Sequence, residues 1–398
     1  MGRVGPHAAL AAVALWGALA CADRNPGSTR QRSPVDTSAS GVVRVPSTVT
    51  STPRSIEWKL GDVLTEIGGE SAGEDYALYR VGPVRRYPDG TIILANMQQE
   101  LRVYDAAGVF VRSIGRRGDG PGEFRQLWTF YFDDADSIVA FNTYPTSLTV
   151  FGSDGGLGGT LSLTPQPTAV ANVGGKIVGL VRGRMTATPD PHIWMTPRYV
   201  VTFGTDGQLR DTVAPASPIY WWGSLASYRG APFRNGGGVA FGAATVYVAS
   251  HEEYAIHEYD VGGHLVRSMF LDLPRRPVTR GVRDAWTRAR MSRRRPERAL
   301  EGLERFSSKD APFPDSLPAI SRVAVGRDGL LWVRRYWAHR DTSKTWDAFS
   351  DHGVHLATLR IPASLRITEF GRDYVLAVAK DELDVESVRL YSWAPGRS

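Results

Sequence analysis

The sequence predicts an all-β fold, a six-bladed β-propeller with a short helical insertion, and three observations carry that expectation. The first is composition: 42 Gly, 25 Pro and 10% aromatic residues in a chain of 398 favour many short strands and turns over helices. The second is a meander between Pro88 and Phe124, in which Thr91 to Ala95, Leu101 to Tyr104 and Val109 to Ile114 are β-rich runs separated by Asp/Gly turns, with no helix between them. The third is repetition of this unit, at a period of about 40 residues, stretched where loops are inserted. One meander cannot bury both faces of its sheet. Radial stacking of several buries the faces, and closing the ring protects the edges.

Residues 1–20 come first. A positive start at Arg3 precedes an apolar run from Ala8 to Ala20, too short to span a bilayer but suited to an export signal. Leu19-Ala20-Cys21 resembles the end of a bacterial lipobox, which implies lipidation of Cys21; Ala18-Leu19-Ala20 is also an acceptable A-x-A site for plain secretion. Cys21 is the only cysteine, so no intramolecular disulfide or cysteine-based zinc site can form. In lipoproteins of this kind an Asp directly after the cysteine favours the inner membrane. Ala22 stands there instead, so the expected location is the outer membrane, facing the periplasm or the cell surface.

Residues 21–54 are rich in Ser, Thr, Pro, Gly and Arg and read as a lipid-anchored disordered tether, followed by the propeller over residues 55–398. Ile56 to Leu60 alternates apolar with charged residues and marks the first strand. It is free to complete the last blade beside Val388 to Tyr391. An inner strand and its turn recur as Val84 to Gly90, Phe130 to Asp136, Ala171 to Gly175, Val239 to Ala243, Val323 to Gly329 and Ile367 to Asp373. An aromatic residue followed by an Asp/Gly turn recurs at Tyr104, Phe151, Phe203, Tyr259 and Phe349, with a degenerate sixth copy around Tyr391 to Trp393.

The Asp89-Gly90 to Asp105 repeat, with the Gly118-Asp119-Gly120-Pro121-Gly122-Glu123-Phe124 phrase after it, resembles the NHL-repeat and related six-bladed propeller lipoproteins of bacteria. The resemblance covers about Ile56 to Pro395. Such folds serve binding, lyase and lactonase roles, so architecture alone does not name an activity.

One insertion, residues 281–306, carries Trp286, Ala289 and Met291, then Pro296, then Ala299, Leu300, Leu303 and Phe306 at helical spacing, which predicts two short helices. From Arg275 to Arg305 eleven arginines face four acidic residues, so this segment accounts for the formal net charge of +6 and the rest of the chain is close to neutral. The apolar stripe would pack on a neighbouring blade; a basic docking arm is the alternative. Export and the near-neutral remainder disfavour nucleic acid as a partner.

Candidate chemistry lies in a few places. Arg80, Arg234, Arg322 and Arg366 precede or start inner strands, which line the channel in this fold, and a cationic funnel would favour a carboxylate, sulfate or uronate. Trp221 and Trp222, among Pro, Gly and Ser, are candidate surface aromatics for stacking on sugars, whereas Trp332 reads as packing. The Gly115 to Phe124 loop lacks the Lys-Ser/Thr and the helix of a phosphate loop. His251 and His257 are six apart in a strand context and do not make a zincin motif.

The expectation is therefore an exported, lipid-anchored, monomeric binding module for a protein or an anionic or carbohydrate ligand. No cofactor is expected and no metal ligand set can be assembled. The alternative is a metal-dependent lactonase- or lyase-like enzyme, whose channel would hold a divalent metal.

Overall fold

The computed structural model describes residues 36–37, 43–44, 46–69, 73–97, 99–133, 136–224, 227–292, 311–338 and 341–393. The predicted export signal, Cys21 and the second helix of the insertion lie outside the described residues.

Six antiparallel sheets follow one another along the chain, and together they form a six-bladed β-propeller. Blade 1 is Val84–Arg86, Ile92–Asn96, Glu100–Tyr104 and Phe110–Ile114; blade 2 is Leu127–Phe132, Ile138–Thr143, Thr146–Phe151 and Leu157–Ser162. Blade 3 is Pro167–Val173, Lys176–Arg182, Ile193–Phe203 and Leu209–Ser224, with Thr186–Ala187 and Ser227–Gly230 flanking its long outer hairpin. Blade 4 is Gly238–Phe241, Thr245–Ala249, Ala255–Asp260 and Leu265–Leu271; blade 5 is Ile320–Val325, Leu331–Arg335, Ser343–Phe349 and His355–Pro362. Blade 6 has three strands in sequence, Arg366–Phe370, Tyr374–Lys380 and Glu386–Ser392, and takes its fourth from near the start of the chain, Val63–Gly68.

That closure corrects the sequence reading in one respect. The blade is mixed, as expected, but the closing strand is Val63–Gly68 and not Ile56 to Leu60. Glu57–Trp58 instead pairs in parallel with His355–Pro362 as a fifth strand on blade 5. Ser47–Ser51, inside the stretch read as tether, pairs in parallel with Leu265–Leu271 on blade 4. Before the first blade begins, the chain thus contributes edge strands to blades 4, 5 and 6 in turn. Trp58 explains the placement of the middle one, because its ring is buried against Trp332 and Trp393, with centroids 5.9 and 4.7 Å away.

The recurring aromatic has a structural cause. In every blade the ladder between the third and fourth strands shifts register at that residue: Tyr104, Phe151, Phe203, Tyr259, Phe349 and Tyr391. The bulge adds twist and drops the ring into the space between neighbouring sheets. The turn that follows is held by a side-chain oxygen. Asp105 Oδ1 accepts from the Ala107 and Val109 amides at 2.9 and 2.8 Å, and Ser350 does the same work in blade 5 for His352 and Val354. Gly207 shows why these turns need glycine: its φ is +75° and a Cβ would lie 1.8 Å from the Ser162 carbonyl oxygen. The sixth copy is degenerate because no turn follows Tyr391. Its partner strand arrives from the other end of the chain.

The core consists of layers between blades. Trp332 of blade 5 is fully buried and stacks on Phe370 of blade 6, centroids 3.9 Å apart and planes 2° from parallel. Ile93 and Val103 of blade 1 meet Phe130 and Ile138 of blade 2, and equivalent layers fill the other junctions. Each large side chain so buried contributes about 1.5–3 kcal/mol.

This connectivity gives the ring two unlike faces. The turns between first and second strands, and between third and fourth, lie on a turn face. The connections between second and third strands, and from blade to blade, lie on the other, the loop face, where the innermost strands begin. The insertion is there: helix Arg280–Ser292 sets Val282 and Trp286 against Phe233, Phe313 and Leu317. Its apolar stripe packs on the loop face.

Candidate functional site at the channel mouth

The innermost strands alternate side chains between the blade interior and the central channel, so period-two spacing decides what lines the channel. Two contiguous cavities of about 480 and 360 Å³ occupy it, sharing Arg85, Trp128, Thr129, Arg322 and Thr368. The smaller opens toward the loop face and is also lined by Gly82, Pro83, Leu127 and Arg366.

Three arginines meet there. Arg85 donates to the carbonyl oxygens of Val84 and Thr368 at 3.0 and 2.9 Å, and its Nε lies 3.8 Å from Glu369 Oε2. Arg366 donates to the carbonyls of Val81 and Gly82, and Glu386 stands near enough to oppose the effect of burial on it. Arg322 makes no hydrogen bond and no ion pair among the described residues. Its side chain is exposed to the open channel, in the middle of the ring of blades. Burial, followed by the charges of Arg334, Arg85 and Arg366, pushes its guanidinium down to about 10. Behind it Arg334 donates to Ser321 Oγ at 2.9 Å and lies 5.7 Å from the Trp346 ring; burial pushes its pKa down too. Lys344 donates to the Ala363 and Leu365 carbonyls, and burial, then Arg334 and Arg366, lower its pKa.

The carboxylate nearest this group does not neutralise Arg322. Glu369 accepts from the Arg86 amide at 3.0 Å and the Tyr374 hydroxyl at 2.7 Å, and is paired with Arg327 at 3.4 Å as well as Arg85. What remains at the mouth is an uncompensated cation, flanked by two guanidiniums whose other donors already face carbonyls. Such an arrangement can hold an anion. Among the described residues no three His, Cys, Asp or Glu side chains come together to hold a metal ion.

The other residues singled out from the sequence lie elsewhere. Arg80 is exposed in the connection to blade 1, with a φ of +51°, and does not line either cavity. Arg234 is half-buried in the connection to blade 4, its Nε without a hydrogen-bond partner, near His251 and Tyr220. Both precede their inner strands, and the chain has not yet turned into the channel at those points. Trp221 and Trp222 stand in strand Leu209–Ser224 and not in a surface loop, paired with Trp194 and Ile193. Trp222 is buried with Ala231 and Ala311, and Trp221 donates its indole N–H to Thr196 Oγ1 at 2.9 Å. The pair is part of the extended hairpin of blade 3.

Arg85 and Trp128 escaped the sequence reading. Arg85 follows Val84 in an inner strand already located, so parity within that strand was the available signal. Trp128 sits at a bulge, which a single sequence does not reveal.

A family model described as a 6-bladed beta-propeller, DUF5128, matches residues 73–163. Among solved structures, the chain is similar to an exported-protein candidate of Bacteroides fragilis, at 14% identity, TM-score 0.49, covering 87% of this chain and 99% of that one. It is also similar to a member of the DUF4221 family from Bacteroides vulgatus, at 9% identity, TM-score 0.46, covering 84% and 97%. No curated protein matches the sequence.

Proposed function

We propose that this propeller is an exported binding module that captures a small anionic ligand at the loop-face mouth of its channel, with Arg322 as the central contact and Arg85 and Arg366 flanking it. The observation that carries the reading is the unpaired Arg322 guanidinium among Arg85, Arg334 and Arg366. A cation beside like charges is unfavourable, and an anion entering the cavity relieves that repulsion. The cavities have the size of a small-molecule site.

The test is a thermal melt at constant ionic strength, replacing chloride with sulfate or acetate, for the wild type and Arg322→Gln. A bound anion raises the wild-type melting temperature in a concentration-dependent way. The variant should not respond. An equal response from both proteins sinks the reading.

Export and anchoring belong to the same proposal. The apolar run to Ala20 followed by Cys21 supports a lipid anchor, which would hold the module at the outer membrane. Labelling with a radioactive or clickable fatty acid should mark the wild type and fail with Cys21→Ser; label on both proteins would place the attachment elsewhere.

A further inference from the structure

Trp128 is the large aromatic of the channel mouth, and its setting distinguishes it from every packing aromatic in the fold. In four innermost strands the ladder to the second strand skips one residue: Trp128 in blade 2, Thr168 in blade 3, Ser321 in blade 5 and Thr368 in blade 6. A bulge of this kind re-aims the side chain of the extra residue. In blades 3, 5 and 6 that residue is a hydroxyl that ties back to the second strand, Thr168 to the Leu180 carbonyl at 3.0 Å, Ser321 to Arg335 at 3.1 Å and Thr368 to Leu376 at 3.1 Å. Tryptophan cannot make that bond. Instead Trp128 is 48% exposed, it has no ring partner and no hydrogen bond on its indole N–H among the described residues, and it lines both channel cavities.

An exposed tryptophan is costly in water, and this one faces the cavity that Arg85, Arg322 and Arg366 also line. One wall offers a flat π surface and an unused N–H donor; the others offer guanidinium groups. The ligand that satisfies both is a saturated ring with axial C–H groups for the indole face, hydroxyls for the indole N–H, and a carboxylate for Arg322. We propose that the channel mouth binds the carboxylated sugar ring of a uronate, with Trp128 as its stacking platform. This deepens the anion-binding reading and rests on it.

Calorimetric titration of the purified protein with trigalacturonate, neutral galactotriose and sodium sulfate separates the two claims. The wild type should bind trigalacturonate more tightly than sulfate and should not bind galactotriose. Trp128→Ala should weaken trigalacturonate about tenfold, the worth of one aromatic stacking contact of about 1.4 kcal/mol, while sulfate binding is unchanged. Trp128→Phe should recover part of the loss. Because Trp128 is exposed, the melting temperatures of these variants should match the wild type in the absence of ligand. If Trp128→Ala binds trigalacturonate as well as the wild type does, or if sulfate binds and trigalacturonate does not, the ring platform is wrong and the anion site stands. If neither ligand heat depends on Arg322, the anion site itself is wrong. Protection of tryptophan fluorescence from acrylamide by trigalacturonate, lost in Trp128→Phe, gives an independent readout.

Discussion

His355 Nε2 donates a hydrogen bond of 3.0 Å to Asp347 Oδ1, with both side chains fully buried. A carboxylate can only accept, so the proton sits on Nε2, which leaves Nδ1 to accept the Arg54 amide at 3.1 Å. The same carboxylate receives Arg335 through two nitrogens, at 2.8 and 2.7 Å, and the Tyr254 hydroxyl at 2.7 Å. One aspartate thereby joins blade 4, blade 5 and the N-terminal segment that runs along their outer edges.

Replacing Asp347 should therefore be among the most damaging single changes. Asp347→Ala strands a half-buried guanidinium, a buried imidazole and a buried phenol, and should cost roughly 3–5 kcal/mol in chemical denaturation. Hydrogen exchange should show Ser47–Ser51 loosened first. The pH dependence has a definite sign. Burial raises the Asp347 pKa, but the bonds from Arg335, His355 and Tyr254 outweigh it and hold the group below the ordinary 3.8. A depressed carboxylate stabilises the fold above its unfolded value, and that contribution is lost as pH falls through the folded value. Acid unfolding that is steeper in the wild type than in Asp347→Asn is the expected result below about pH 4.

Ring closure predicts a contrast within one strand. Ile67 is 1% exposed and packs between blades 6 and 1, whereas Val63 in the same strand is 45% exposed. Ile67→Ala should cost about 2–5 kcal/mol, and Val63→Ala well under 1 kcal/mol, about the usual size for a surface change. Urea midpoints for the two variants measure this directly. Equal and small losses would mean that Val63–Gly68 does not close the ring.

Trp221 and Trp222 should behave as scaffold. Trp222→Ala empties a buried site and should cost about 3–5 kcal/mol; Trp221→Ala loses the Thr196 bond and an edge contact with Tyr228 at 5.3 Å, a smaller effect. Neither variant should change the response to sulfate, and a lost response with an unchanged melting temperature would return them to the binding site.

These cases show which features a sequence carries. The recurring aromatic and its Asp/Gly turn are local chemistry, so Tyr104, Phe151 and Phe349 are legible in the sequence. Alternation at Ile56 to Leu60 marks a strand but says nothing about its partner, and register is decided by neighbours. The ring of Trp58 fits between Trp332 and Trp393, which sends that strand to blade 5. Channel lining was harder still. Arg322 and Arg366 lie within inner strands and line the cavity, whereas Arg80 and Arg234 precede theirs and do not. Bulges shift parity, so Trp128 enters the channel by a route that hydrophobic pattern does not encode.

Arg322 predicts a conflict between stability and binding. Its guanidinium pKa is pushed down to about 10, first by burial and then by Arg334, Arg85 and Arg366. A cation whose folded value is depressed destabilises the native state, so the cost is present in full at neutral pH, begins to fall only as pH rises through about 10 and is gone once pH exceeds the ordinary arginine value. Arg322→Gln keeps a polar side chain in the cavity and removes the charge, so the ligand-free variant should melt slightly above the wild type, by a small margin because solvent screens an exposed charge. Adding sulfate should close that gap, because only the wild type gains from the anion. A variant that melts below the wild type without added anion would show that Arg322 has a structural partner, and the channel mouth would lose its claim to an unpaired charge.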